Sequence, residues 1–161
     1  MIFFLIGLPG CGKSTMGKKF ASVLGCSFFD LDQLIESGEG GSIAELFTGM
    51  GEDRFRELEH RYLKDLSNLK DAVVATGGGT PCFFNNMEMI NQMGTSIFLD
   101  LSPREIALRL SERGIEKRPM LRGKSREEIA YTLEQLRLRR LPFYSQSHMT
   151  FHHPEIRFRD L

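Results

Sequence analysis

Apolar and polar positions along this chain follow two different periods. Ile2-Phe-Phe-Leu-Ile6, Ala72-Val-Val-Ala75 and Ser96-Ile-Phe-Leu99 are short, nearly continuous apolar runs, the pattern of strands buried on both faces. Ser27-Phe-Phe29 adds a short strand ending at Asp30, and a last one is expected near His148–His152. Between them the period lengthens to that of a helix. Lys13–Leu24 would turn Met16, Phe20, Val23 and Leu24 inward, and Leu31–Ser37, Ile43–Met50 and Asp53–Leu69 are helical stretches parted by glycines. Ser102-Pro103 is a helix start, with the serine as cap and proline in the first position. Ser125–Leu141 is helical again, with Ile129, Leu133, Leu136 and Leu138 among its apolar positions. Strands alternating with helices predict a three-layer α/β domain around a parallel sheet. Glu112–Lys124 breaks the pattern: it is charged, holds Gly114 and Gly123, and predicts a mobile surface segment. No repeat or long linker divides the chain, so residues 1–161 are expected to form one domain.

Composition narrows the class without naming a task. The 161 residues are 41% apolar and 26% charged, with 21 basic and 21 acidic side chains. That balance argues against a general nucleic-acid binder, and no apolar run approaches a membrane span of about 20 residues. The apolar start lacks a basic region before it, so no signal peptide is expected. Cys11, Cys26 and Cys82 are odd in number and in no metal spacing, which favours a reducing cytoplasm. His148, His152 and His153 lack a carboxylate or cysteine at ligand spacing and read as surface or strand-edge residues. Charge is uneven along the chain: Phe28–Asp65 holds ten acidic and four basic side chains, Arg104–Arg140 eleven basic and six acidic. Most of these belong on solvated helix faces, but the basic stretch is also placed to meet an anionic ligand.

The chemistry starts at Gly7-Leu-Pro-Gly-Cys-Gly-Lys-Ser14, which fits G-x-x-x-x-G-K-[ST] between a buried strand and a helix. The glycines let successive N–H groups point at phosphates, and the helix N-terminus adds partial positive charge. Lys13 can reach the β- and γ-phosphates and the Ser14 hydroxyl can ligate Mg²⁺. Cys11 is read as a small residue lending its N–H rather than as a nucleophile. ATP with Mg²⁺ is the ligand this loop implies.

Asp30 and Asp32 stand at the end of the second strand, where carboxyl ends of parallel strands line a ligand crevice. One can hold water around Mg²⁺ and the other accept a proton from an attacking hydroxyl; an Asp here can also simply cap the following helix. The strand Ala72–Ala75 runs into Thr76-Gly-Gly-Gly79. Three glycines keep no side chain between backbone and ligand.

The ordered series Gly7-Leu-Pro-Gly-Cys-Gly-Lys-Ser-Thr15, Phe29-Asp-Leu-Asp32, Gly51-Glu-Asp-Arg-Phe-Arg-Glu-Leu-Glu59, Ala75-Thr-Gly-Gly-Gly79, Lys117-Arg-Pro-Met-Leu121 and Arg140-Leu-Pro-Phe-Tyr144 resembles the shikimate kinase family. The resemblance spans nearly the whole chain. It implies phosphotransfer from ATP to the 3-hydroxyl of shikimate in aromatic biosynthesis, on a P-loop kinase fold like that of nucleoside-monophosphate kinases. The fold's five parallel strands would run in the order 2-3-1-4-5, with a lid over roughly 112–124 and substrate-binding helices over roughly 31–62. Gly10, Cys11, Gly12, Lys13, Ser14 and Thr15 would hold ATP, with Asp30 an outer-shell partner of Mg²⁺. Asp32 would face the accepting hydroxyl. Arg56 and Arg140 would grip the shikimate carboxylate, and Gly77, Gly78 and Gly79 would pack on its ring. Arg118 would come from the lid to the transferring phosphate, and Arg113, ahead of Arg109, would stack on adenine.

Physical chemistry supports these roles independently. A small carboxylate suits the planar fork of a guanidinium, although Arg56 can equally pair with Glu59 or Asp53 along its helix. Pro119 biases Arg118 towards extended backbone. The family continues past its last strand into an adenine loop and a closing helix, whereas Pro154–Leu161 alone follows here. A vestigial helix or a shortened chain is the corresponding expectation, with an adenine contact near Pro154. Rival readings are another small-metabolite kinase, such as one acting on a sugar acid, and a nucleotide-binding module without an acceptor. The expected partners are small molecules, with no nucleic acid or membrane, and the default assembly is a monomer.

Overall fold

The computed structural model describes residues 1–113 and 123–152, except for the side chain of Arg113. These form five parallel strands, β1 (Ile2–Ile6), β2 (Ser27–Asp30), β3 (Ala72–Ala75), β4 (Thr95–Leu99) and β5 (Met149–Phe151). Their order in the sheet is β2-β3-β1-β4-β5. The helices are α1 (Lys13–Leu24), α2 (Leu31–Glu39), α3 (Ile43–Met50), α4 (Glu52–Asp65), α5 (Asn86–Met93), α6 (Pro103–Arg113) and α7 (Arg126–Tyr144). This is the three-layer α/β domain that the sequence pattern predicts, in the P-loop kinase strand order that the family resemblance implies.

The apolar runs become the middle of the sheet. Phe4 of β1 lies between Val74 and Ser96 in register, and Phe4, Val74 and Ile97 are wholly buried. Because β1 bonds β3 on one side and β4 on the other, the connections diverge at its carboxyl end. In open α/β sheets that divergence opens the ligand crevice. Gly7, Asp30, Thr76 and Asp100, each at or just beyond a strand's carboxyl end, surround it.

The Ser102 cap is present as the sequence suggests, and the structure adds two capping boxes. Ser102 accepts from the Glu105 N–H at 3.2 Å, and Ser42–Glu45 and Ser125–Glu128 form reciprocal capping boxes. Three apolar positions depart from expectation. Val23 and Leu24 are 62% and 46% exposed: the inward stripe of α1 is Gly17, Phe20 and Ala21, and both residues lie in the last turn, before Gly25 ends the helix. Leu138 is 57% exposed, because nine residues of helical rotation carry it to the side opposite buried Ile129. Helix α7 also runs past Pro142, where a stop at Leu141 is expected from sequence, because Ser145 N–H still reaches Leu141 O at 2.8 Å. Helix α5 and the 3₁₀ turn Thr80–Cys82 carry no clear periodic signal and emerge only in the structure.

Candidate functional site

The loop after β1 ends at Gly12, which caps α1 with φ at +95°, a conformation that only glycine adopts without strain. Lys13 opens the helix and folds its Nζ back onto the carbonyls of Gly7 at 2.7 Å and Leu8 at 2.9 Å. Its charge therefore sits over the loop, on acceptors a phosphate tail can replace. Cys11 is buried, its N–H bonded to Leu8 O at 3.2 Å, so its amide is engaged within the loop and its thiol serves packing. Ile106 and Leu110 of α6 crowd Gly10, and Arg109 Nη1 would stand 3.8 Å from a Cβ on Gly12. Arg109 is thus brought to the phosphate loop; the Arg113 side chain lies outside the described residues. Thr15 points outward and is exposed.

Ser14 Oγ donates to Asp30 Oδ2 at 2.5 Å, while Asp30 Oδ1 accepts from Gln33 N–H at 3.2 Å. Asp30 therefore caps α2 and also faces the loop, so both of its sequence readings hold. A hydroxyl and a carboxylate side by side at the loop are hard oxygen donors, the set Mg²⁺ takes in company with phosphates and water. The residues present fit that ion. Among the described residues no three His, Cys, Asp or Glu gather as a protein-only metal site.

Asp32 lies two positions further on and leans towards the glycine triplet. A Cβ on Gly77 would meet Asp32 Oδ1 at 3.0 Å, Thr80 Oγ1 at 3.0 Å and Glu59 Oε2 at 3.2 Å. Burial first, then the charges of Asp30, Glu59 and Glu36, push the Asp32 carboxyl up to about 6, against the pull of Lys13. A carboxylate so placed is tuned towards proton acceptance near neutral pH.

Two guanidinium groups face the same glycines. A Cβ on Gly78 would lie 2.9 Å from Arg140 Nη1, and one on Gly79 2.6 Å from Arg56 Nη2. Arg140 Nη1 and Arg56 Nε are buried without a hydrogen-bond partner. An unsatisfied buried donor on a cation is costly unless a ligand takes it. Arg140 Nη1 is such a donor at the glycine strip, and Arg56, whose Nε lies 3.8 Å from Glu52 Oε1, turns Nη2 to the same strip, so the two guanidinium groups together describe an anion subsite. Arg56 also donates through Nη1 to Glu59 Oε1 at 2.8 Å and lies 4.2 Å from the Phe83 ring centroid. The helical pairing weighed from sequence is real, but it leaves the other face of the guanidinium for a ligand.

Three contributors escape a sequence reading as site residues. Glu59, 1% exposed, joins Arg56 to Thr80, whose Oγ1 donates to Glu59 Oε2 at 2.7 Å. Tyr144, wholly buried, donates its hydroxyl to Gly78 O. Its place four residues after Arg140 on one helix puts both side chains over the triplet, an arrangement that appears only because the helix continues past Leu141. Burial pushes the Tyr144 hydroxyl pKa up, keeping it a donor.

The remaining candidates divide plainly. Arg118, the Lys117–Leu121 block, most of the 112–124 segment, His153 and Pro154 lie outside the described residues. His148 accepts from Ser96 N–H at 3.1 Å and His152 sits 3.4 Å from Asp100, so both are strand-edge residues as expected. A groove of about 520 Å³ runs elsewhere, along the outer face of α4 past Arg54, His60 and Phe84. None of the unpartnered donors lines it, and the crevice described above is the better candidate.

Comparison with known proteins agrees with this geometry. The sequence model of the shikimate kinase family matches residues 9–156. A shikimate kinase of Phocaeicola vulgatus is 43% identical over 95% of this chain and 87% of its own. The crystal structure of shikimate kinase from Bacteroides thetaiotaomicron superposes with a TM-score of 0.92 at 39% identity, covering 98% of this chain and 89% of that one. That of Acinetobacter baumannii, solved in complex with shikimate, gives 0.82 at 32% identity over 99% and 87%.

Proposed function

This chain belongs to the shikimate kinase family and phosphorylates shikimate in aromatic biosynthesis, and we propose that it does so through the crevice built by the phosphate loop, Asp32, the glycine triplet, Arg56 and Arg140. The observation that carries the assignment of roles is the convergence of two guanidinium groups on the glycine strip, Arg140 Nη1, which has no hydrogen-bond partner, at Gly78 and Arg56 Nη2 at Gly79, beside Asp32 and Pro9 of the phosphate loop.

The two guanidinium groups take the shikimate carboxylate, each offering parallel N–H donors to a planar anion. The bare backbone of Gly77–Gly79 lets the ring settle against it. That orientation brings the 3-hydroxyl to Asp32, which accepts its proton as the oxygen attacks the γ-phosphorus and the bond to the β–γ bridging oxygen breaks, releasing ADP. The carboxyl, poised near 6, is mostly ionised at neutral pH yet basic enough to take that proton. The amides of Gly10, Gly12, Lys13, Ser14 and Thr15 surround the triphosphate, with the Cys11 amide holding the loop's curl through Leu8 O, and Lys13 exchanges its loop carbonyls for phosphate oxygens. Ser14 would hold Mg²⁺ directly and Asp30 through water, and the ion would supply neutralisation of phosphate charge. Arg118, from the 112–124 lid, adds positive charge at the transferring group, and Arg113 or Arg109 covers the adenine. The loose transition state of phosphoryl transfer asks the protein mainly for placement and charge.

We place the enzyme in the cytoplasm, supported by three unpaired thiols, and read it as a monomeric single domain. No helix among the described residues is long and apolar enough to cross a membrane. The test of the whole reading is ADP release with and without shikimate in a coupled assay, across a panel including sugar acids. Shikimate should accelerate release at least about a hundredfold and the panel should not. Equal rates with and without acceptor would count against the assignment.

A further inference from the structure

The buried polar side chains beside the acceptor subsite are linked in one chain. His60 Nδ1 and Asn86 Oδ1 share a hydrogen bond of 2.5 Å, Asn86 Nδ2 donates to Thr80 O at 2.8 Å, and Thr80 Oγ1 donates to Glu59 Oε2 at 2.7 Å. Glu59 Oε1 then accepts from Arg56 Nη1 at 2.8 Å. Asn86 and Thr80 are wholly inaccessible and Glu59 is 1% exposed, so the bonds among them are made away from competing water.

The division of Glu59 is the informative feature. Carboxylate and guanidinium prefer a two-bonded fork in which both oxygens face both nitrogens. Here Glu59 gives Arg56 a single oxygen, because the other is held by Thr80. Arg56 Nε makes no hydrogen bond, the half-exposed Glu52 Oε1 standing 3.8 Å from it, and Nη2 faces Gly79. Were Thr80 to lose its hydroxyl, Glu59 Oε2 would be a buried acceptor with no donor, and rotating towards Arg56 is its nearest relief. The arginine would then be satisfied internally, at the expense of the acceptor's carboxylate. Asn86 acts one step further back: it clamps the Thr80 carbonyl and so fixes the turn that aims the hydroxyl.

We infer that Thr80, held by Asn86, is a positioning residue that keeps the Glu59–Arg56 pair single-bonded and so leaves Arg56 open to the acceptor. The inference rests on the proposed role of Arg56 in binding the shikimate carboxylate. It assigns Thr80 no contact with ATP or with the reacting atoms.

The experiment compares Thr80→Val, close in shape but lacking the hydroxyl, with Thr80→Ser, which restores it, in steady-state assays varying each substrate separately. Thr80→Val should raise the KM for shikimate about tenfold, the equivalent of one charge-assisted hydrogen bond, with the KM for ATP within about twofold of wild type. Thr80→Ser should return the shikimate KM to within about twofold of wild type. Calorimetric titration of shikimate should show the same split. If Thr80→Val does not fold, Thr80→Ala, which fills no more space, carries the same comparison. An unchanged shikimate KM in the hydroxyl-free variant, a parallel rise for ATP, or a serine variant that fails to recover would each overturn the inference. The wild-type control separates this outcome from the larger one: without shikimate-stimulated ADP release in wild type, the acceptor assignment itself fails.

Discussion

Replacing Asp32 with asparagine should make the protein more stable while stopping its chemistry. Burial and the neighbouring carboxylates Asp30, Glu59 and Glu36 raise the Asp32 pKa from 3.8 to about 6. A rise of that size corresponds to ~3 kcal/mol between protonated and ionised forms, of which ~1–3 kcal/mol is expected after partial solvent screening. The sign follows from proton binding. Between pH 4 and 6 the folded chain retains at Asp32 a proton that the unfolded chain has released, so stability falls as pH rises through that window and levels off above it. Asparagine carries no such penalty, and among the described residues none donates a hydrogen bond to Asp32 that the change would forfeit. Asp32→Asn should therefore match wild type near pH 4 and exceed it by ~2 kcal/mol at pH 8. With a urea m-value of about 2 kcal/mol/M, the unfolding midpoint moves up by about 1 M. The chain has no tryptophan, so far-ultraviolet circular dichroism is the appropriate probe. Turnover should fall by about 10² or more with ATP binding retained. A stability difference that is absent at pH 8, or equal at both pH values, would refute the electrostatic reasoning; retained turnover would remove Asp32 from proton acceptance.

The same carboxyl governs the acid limb of activity: kcat/KM for shikimate should fall about tenfold per pH unit below about pH 6 as Asp32 takes a proton, and Asp32→Asn should lack that limb in its residual activity. Arg140→Lys keeps the charge but loses the planar fork, so the shikimate KM should rise about tenfold or more while the ATP KM holds, measured with each substrate varied in turn. Gly79→Ala places a methyl 2.6 Å from Arg56 Nη2, displacing the guanidinium rather than the backbone. Its shikimate affinity by calorimetry should drop by about tenfold or more with the circular dichroism spectrum unchanged, and unaltered affinity would show that Arg56 does not grip the acceptor from where it stands.

What the sequence made legible is what backbone chemistry dictates locally. The phosphate loop announces itself because a curled, phosphate-facing backbone requires glycines at set positions, followed by a lysine and a hydroxyl at the helix start. Asp30, Asp32 and the glycine triplet are legible because strand ends face the crevice in a parallel sheet. Glu59, Thr80 and Tyr144 are not, since their roles are contacts between elements. Thr80 meets Glu59 across 21 residues and Tyr144 meets Gly78 across 66. A lone Glu on a charged helix, or a Tyr after Pro142, carries no local mark of such a partner. Pro142 points the other way, towards an early helix end, yet the helix turns through it and delivers the Tyr144 hydroxyl. Helix α5 hides for a related reason: Asn85 makes no side-chain cap, and its methionines and amides give a weak period.

The charge asymmetry along the chain now has a physical reading. The acidic stretch supplies β2 through α4 and places Asp30, Asp32, Glu36 and Glu59 on one wall, where their mutual repulsion adds to burial in lifting Asp32. The basic stretch supplies α6 and α7, and part of its described charge is spent away from the crevice. Arg137 is committed to Asp100 through two bonds of 3.2 and 3.0 Å. Among its described side chains, Arg140 and Arg109 are the ones the structure brings to the glycine strip and the phosphate loop. On the roles proposed above, selectivity for an anionic acceptor rests on few groups, Arg140 from the basic wall and Arg56 from within the acidic one. A guanidinium seated among carboxylates is available to a ligand only while those carboxylates are otherwise engaged. That condition makes the Thr80 hydroxyl, an uncharged group with no claim on substrate, decisive for how tightly the acceptor is held.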